Sequence, residues 1–91
     1  MHHFRGRLLD GDQTRLDPAN VYIQFHHTTP SGPAQGWNGY LLVASETDLE
    51  PGGTYRLVLM DGRSGSLQID HLAPDDSGHY RAFFAGVGLL Q

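Results

Sequence analysis

The feature of this sequence that most limits its fold is the even scatter of glycine and proline. Twelve glycines and five prolines interrupt the 91 residues. No stretch of eleven residues without either of them has the apolar spacing of an amphipathic helix. Between the interruptions lie short runs in which apolar and polar residues alternate, as they do in β-strands. The sequence therefore predicts an all-β protein.

Six runs have the strand pattern, and most of them end at turn residues. Asp61-Gly62 separates two such runs, and an Asp-Gly pair in this setting favours a two-residue type I′ turn with positive φ at both positions. A Pro/Gly-rich loop is predicted at 28–36. The predicted strands are 4–9, 21–25, 37–43, 54–60, 63–71 and 80–85, and a seventh short edge strand is predicted within 86–91.

Six or seven short strands in a single domain, residues 1–91, fit an antiparallel small β-barrel best. A chain of this length can bury one modest core without cross-links. Glycine within strands often marks the bends and bulges of small barrels. Five glycines lie within or beside the predicted strands: Gly6, Gly39, Gly65, Gly86 and Gly88.

Residues 66–84 carry a local pattern that favours a different fold. They contain a Leu-x-Ile run and then Asp-Ser-Gly-His-Tyr, ending at Tyr80. This stretch resembles the E–F corner of immunoglobulin-like domains. The resemblance implies that the Tyr80 hydroxyl holds the corner by a hydrogen bond to the backbone, and that Trp37 is a core residue of strand C. An immunoglobulin-like β-sandwich is therefore the alternative fold.

The whole pattern is also similar to a group of uncharacterised bacterial small β-domains. The similarity lies in a Trp-x-Gly strand at Trp37, a hairpin with the sequence pattern Tyr-x-Leu-x-Leu-x-Asp-Gly-Arg at 55–63, and a Phe-x-Gly-x-Gly-x-Leu segment at 84–89. This resemblance implies a small β fold and no particular activity.

The charge balance argues against nucleic acid as a partner. Ten acidic and six basic residues give a formal net charge of −4, whereas proteins that bind nucleic acid usually carry a basic excess. No apolar stretch approaches the length that spans a bilayer, and the first residues lack the apolar segment of a signal peptide. We therefore expect a cytoplasmic protein that binds neither nucleic acid nor membrane.

The sequence contains no pattern that supports catalysis or a cofactor. The chain lacks cysteine, which excludes disulfides and thiolate chemistry. Asp75, Ser77 and His79 include the residue types of a catalytic triad, but turn formation explains them better. Six histidines are present, of which His26, His27 and His79 are weak candidates for a metal site. Exposed histidines are the preferred interpretation, so no cofactor is predicted.

Aromatic residues give the best indication of function. Phe83 and Phe84 are adjacent on a predicted strand, so they point to opposite faces and one of them lies outside the core. Beside Tyr22 or Tyr40 an exposed phenylalanine would form an apolar surface patch, and such patches mark interfaces. The candidate binding residues are Tyr22, Trp37, Tyr40 and Phe83.

The sequence thus favours a non-catalytic protein-interaction or self-association module, with a protein partner or a second copy bound at the aromatic patch. It is not expected to be an enzyme. A histidine-based metal-binding domain is the alternative function, and a small hydrolase is a weaker one.

Overall fold

The computed structural model describes residues 1–27 and 34–91, so most of the predicted loop at 28–36 lies outside the described residues. All strand pairs are antiparallel, and the sheet closes on itself in the order β1-β2-β3-β6-β5-β4. The predicted small β-barrel is confirmed. Its six strands are β1 (His2–Asp10), β2 (Gln13–His27), β3 (Ala34–Val43), β4 (Thr54–Leu59), β5 (Ser64–Pro74) and β6 (Tyr80–Val87).

The closed sheet excludes the two separate sheets of an immunoglobulin-like sandwich, because β1 pairs with both β2 and β4. Within the described residues the Tyr80 hydroxyl makes no hydrogen bond. A tyrosine hydroxyl does hold a corner elsewhere, where Tyr55 accepts a hydrogen bond from the N–H of Glu50 at 3.0 Å. No residue in the two described ranges belongs to a helix long and apolar enough to cross a membrane.

The interior is filled by alternate residues of every strand. Trp37 lies at one end of this core, where its ring packs edge-on against Phe84 and its Nε1–H donates to the carbonyl of Gly88 at 3.0 Å. The chain after β6 pairs with the start of β5 through two backbone hydrogen bonds between Ser64 and Gln91. This tail replaces the predicted seventh strand. The buried residues are Leu8, Ala19, Val21, Ile23, Trp37, Leu41, Val43, Leu49, Tyr55, Leu57, Leu59, Leu67, Ile69, Ala82 and Phe84.

Strand β2 is much longer than predicted, because it continues through a proline. Gly6 of β1 pairs with Ala19 and Leu8 pairs with Leu16, so β2 has one more residue than β1 between these pairs. The resulting bulge contains Asp17 and Pro18, joined by a cis peptide bond. Proline has no N–H to donate, and a bulge is one of the places where a strand tolerates it.

The turn between β4 and β5 differs from the prediction. Within this turn only Gly62 has a positive φ, at 96°. None of the described non-glycine residues, Asp61 among them, has a positive φ. The hairpin closes with Leu59 N–H donating to the Arg63 carbonyl at 2.8 Å, and Gly62 N–H donates to the Leu59 carbonyl at 3.0 Å. The loop therefore has three residues, with glycine in the left-handed position after a turn. The predicted two-residue type I′ turn is wrong.

Candidate binding surface

One row of aromatic rings crosses the outer face of the barrel. His3 pairs with Tyr22, and Tyr22 pairs with Tyr40. Tyr40 pairs with Phe83, which pairs with His71. The five residues come from β1, β2, β3, β6 and β5 in turn. The three in the middle, Tyr22, Tyr40 and Phe83, point outward because their sequence neighbours are buried in the core. We call these five residues, His3, Tyr22, Tyr40, Phe83 and His71, the aromatic row.

The rings of the aromatic row stack against one another. Ring centroids are 4.8 Å apart for His3 and Tyr22, and 4.9 Å for Tyr22 and Tyr40, with interplanar angles of 30° and 20°. Phe83 and His71 form a second stack at 4.8 Å and 14°. Between the stacks, Tyr40 and Phe83 are tilted by 53° at 5.7 Å. Because the ring faces cover one another, the row presents mainly ring edges, which carry the positive side of the aromatic quadrupole.

A bulge in β5 places His71 in the row. Ile69 pairs with Phe84 and His71 pairs with Phe83, so Asp70 is an extra residue on β5. Without this bulge Asp70 would lie opposite Phe83. Asp70 instead bonds His71, with Nδ1 and Oδ2 3.0 Å apart. His3 and His71 were not among the predicted binding residues, because neither strand register nor bulge position can be read from alternation alone.

A groove of about 480 Å³ opens beside the second stack. Phe83 and His71 form one part of its lining, and Asn38, Gln68 and Asp70 contribute polar groups. We call it the Phe83 groove. The groove therefore offers both apolar contact area and hydrogen-bonding groups.

Polar groups also flank the row along its length. Gln24 pairs with Asn38, and both Asn38 and Gln68 pair with Ala85, so three amides follow the row on one side. On the other side, the Arg81 guanidinium lies 4.9 Å from the centre of the Tyr40 ring. These groups can hydrogen-bond to a molecule that lies across the rings.

Arg81 is fixed by the connection between β5 and β6. Its guanidinium bonds the Asp75 carboxylate, with Nε 2.9 Å from Oδ1. The Ser77 hydroxyl donates to the other oxygen of Asp75. The pKa of Asp75 lies below its ordinary value. The main cause is the hydrogen bond from the Ser77 hydroxyl, and the positive charge of Arg81 adds to it.

The same connection has the wrong order for a catalytic triad. The Ser77 hydroxyl donates its proton to Asp75, while Nδ1 of His79 lies 3.2 Å from the hydroxyl oxygen of Ser77. A triad needs the histidine between the acid and the nucleophile. Asp75, Ser77 and His79 are thus arranged as a polar turn.

The structure does not place Trp37 with the other binding candidates. Its exposed fraction is 4%, and its ring lies in the core. It therefore cannot contact a partner, although alternation along β3 gave it the face opposite to Tyr40. Tyr22, Tyr40 and Phe83 do come together, and each is half-buried.

The histidine metal candidates lie at different places on the barrel. His26 bonds Asn38 near the start of β3, whereas His79 precedes Tyr80, which pairs with Val43 at the end of β3. His27 follows His26 beyond a register shift. Among the described residues, no three side chains of the metal-binding types converge.

Comparison with protein-family models, with curated proteins and with solved structures finds no match to this chain. The function is therefore inferred from the geometry of the surface itself.

Proposed function

We propose that this chain is a non-catalytic protein-binding module of the cytoplasm, and that the aromatic row is its contact surface. The observation that carries the proposal is the meeting of Tyr22, Tyr40 and Phe83 in one continuous outward row. Aromatic side chains are enriched at protein interfaces and dominate their binding energy. Tyrosine is especially suited, because it offers a large contact area for few rotatable bonds.

Charge and ring orientation favour a protein over a nucleic acid. Proteins that bind single strands combine a positively charged groove with open ring faces for the bases. Here the net charge is −4, and the faces of Tyr22 and Tyr40 are stacked on neighbouring rings. Arg81, which lies beside the row, is already paired with Asp75.

The curvature of the row favours a different protein, rather than a second copy of this chain, as the binding partner. The row spans five of the six strands of a closed barrel, so it follows a convex surface. Two convex rows related by a twofold axis would touch at only one or two rings. An extended segment of a partner can follow the row instead, and its carbonyl oxygens suit the positive ring edges and the tyrosine hydroxyls.

The proposal is tested by capture from a lysate of the source organism with four forms of the protein as bait. These are the wild type, Tyr40→Ala, Phe83→Ser and the control Val87→Ser, whose side chain is exposed on β6 outside the row. We expect one protein to be retained in stoichiometric amount by the wild type and the control, and lost from both row variants. Equal capture by all four forms would refute the proposal.

Sedimentation of the same four proteins tests the second copy as occupant. We expect the wild type to remain monomeric as its concentration rises. A dimer that Phe83→Ser abolishes would contradict the proposal of a different partner and assign the row to self-association.

A further inference from the structure

A second groove lies where β1 runs between the bulge of β2 and the end of β4. Its volume is about 400 Å³. The bulge residues Asp17 and Pro18 form part of its lining, and Arg7 lies opposite them rather than opposite a regular pair. We call it the arginine groove, and its side-chain lining is Arg5, Arg7, Asp17, Pro18, Val58 and Met60.

The groove contains two arginines whose side chains have no partner in the described part of the chain. Arg5 and Arg7 are two residues apart on β1 and lie on the same face of the strand, because Gly6 and Leu8 face the core. Among the described residues neither makes an ion pair or a side-chain hydrogen bond. The other four arginines are held: Arg15 by Asp10, Arg63 by Asp61, Arg81 by Asp75 and Arg56 by Ser64.

The rest of the lining is mostly apolar. Met60 is 79% exposed, which makes it the most exposed large apolar side chain among the described residues. It shares the groove with Val58 and Pro18. Asp17 is the one acidic residue in the lining, and it forms no ion pair with either arginine. Two free cations beside an apolar wall match a ligand that is both anionic and apolar.

We propose that the arginine groove binds an extended acidic segment of a partner protein, with carboxylates at alternate positions and an apolar residue nearby. Alternate residues of any extended chain are about 6.6 Å apart, so the carboxylates of such a segment have the same spacing as Arg5 and Arg7. The apolar residue packs on Met60 and Val58. This inference is independent of the aromatic row, with which the groove shares no residue.

The test is a titration followed by two-dimensional nitrogen–proton NMR. The probe is the peptide acetyl-Glu-Ser-Glu-Ser-Leu-amide, and its control replaces both glutamates with glutamine. We expect the acidic peptide to shift the backbone signals of Arg5, Arg7 and Met60 in a saturable way, and the shifts to weaken as salt is added. Absence of saturation, or equal binding of the glutamine peptide, would overturn the proposal.

Variants give the sign of the electrostatic effect. Arg5→Gln and Arg7→Gln should each raise the Kd by about two- to fivefold, as expected for exposed charge pairs. Asp17→Asn should lower the Kd, because it removes the only negative charge of the lining. Arg15→Gln is the matched control, since Arg15 lies outside the groove, and should leave the Kd unchanged. An unchanged Kd in Asp17→Asn, or a change of equal size in Arg15→Gln, would contradict the proposal.

Two further measurements separate this site from its alternatives. Inorganic phosphate should not shift the same NMR signals with the affinity of the acidic peptide. If it does, the groove is a phosphate site and the proposal fails. Tyr40→Ala should leave peptide binding unchanged, so that loss of the aromatic-row function and loss of this site are distinguishable. Weaker peptide binding in a folded Tyr40→Ala protein would contradict the independence of the arginine groove from the aromatic row.

Discussion

At the scale of single residues, glycine sets how closely the wall of the barrel approaches its core. A Cβ at Gly86 would overlap the ring of Trp37, and one at Gly39 would overlap the carbonyl oxygen of Tyr22. Gly86 thereby leaves room for the largest side chain of the core, and Gly39 allows β2 and β3 to lie in close contact under the aromatic row. Four of the five glycines that favoured a barrel in the sequence, Gly6, Gly39, Gly65 and Gly86, have this packing role in the structure, whereas a Cβ at Gly88 would meet no atom within 4 Å.

Gly86→Ala should destabilise the protein by about 1–3 kcal/mol, the usual cost of overpacking a core. Gly36→Ala is the matched control, because the atom nearest to its new Cβ would be 3.9 Å away, and it should change the stability by less than about 0.5 kcal/mol. Urea denaturation followed by circular dichroism measures both. Equal stability of the two variants would contradict the packing described here.

Single residues also differ in how well the sequence predicts their position. Alternation was enough to find Tyr22, Tyr40 and Phe83, because each lies on a strand whose other face is apolar. Alternation also puts Trp37 on the face of β3 opposite to Tyr40, but the space that holds its ring inside the core is left by Gly86 of β6, which the local sequence of β3 does not show. His71 depends on the bulge at Asp70, and nothing in the local sequence marks that bulge.

At the scale of elements, the stacking of the aromatic row should join β2 to β3. Tyr22 and Tyr40 face each other directly in the ladder, with ring centres 4.9 Å apart. A double-mutant cycle of Tyr22→Ala and Tyr40→Ala should give a coupling energy of about 0.5–1.5 kcal/mol. Denaturation of the four proteins measures it. Additive effects, with no coupling, would show that the rings do not stack in solution.

The connection between β5 and β6 should make the stability of the folded protein depend on pH in the acidic range. Hydrogen bonds from Ser77, and then Arg81, keep the pKa of Asp75 below its ordinary value in the folded protein. A depressed folded pKa contributes stability that is present above the ordinary aspartate value, near pH 4, and is lost as the pH falls through the folded pKa.

Melting temperatures from pH 7 down to pH 2 test this dependence. The Asp75→Asn variant should melt at a lower temperature than the wild type at neutral pH, and the difference should shrink below about pH 4. Asp76→Asn, altering the neighbouring exposed carboxyl, is the control. A difference between wild type and Asp75→Asn that stays constant across this range would contradict the assigned role.

Elements are where prediction from the sequence was strongest. All six strands were located, because each combines alternation with turn residues at most of its ends. The errors in strand bounds and turn type occur where tertiary structure overrides a local sequence preference. Strand β2 was predicted only over 21–25, yet it begins at Gln13, because a bulge accommodates Pro18 within it. Asp61-Gly62 suggested a two-residue turn, although the register of β4 and β5 requires three residues.

At the scale of the whole molecule, the strand order of the sheet assembles the aromatic row. β3 pairs with β6 rather than with the next strand in sequence, and this pairing brings Tyr40 beside Phe83. A fold in which consecutive strands paired throughout would separate these rings. The sequence favoured a barrel but not its strand order, so the candidate residues could be named while their arrangement could not.

The aromatic row is proposed as a protein-binding surface, and the most direct test of this proposal is the affinity of the captured partner. Calorimetric titration should give a Kd at least about tenfold weaker for folded Tyr40→Ala and Phe83→Ser than for the wild type, as expected for aromatic residues at the centre of an interface. Val87→Ser should bind as the wild type does. Unchanged affinity in both row variants, or a loss confined to Val87→Ser, would contradict the account.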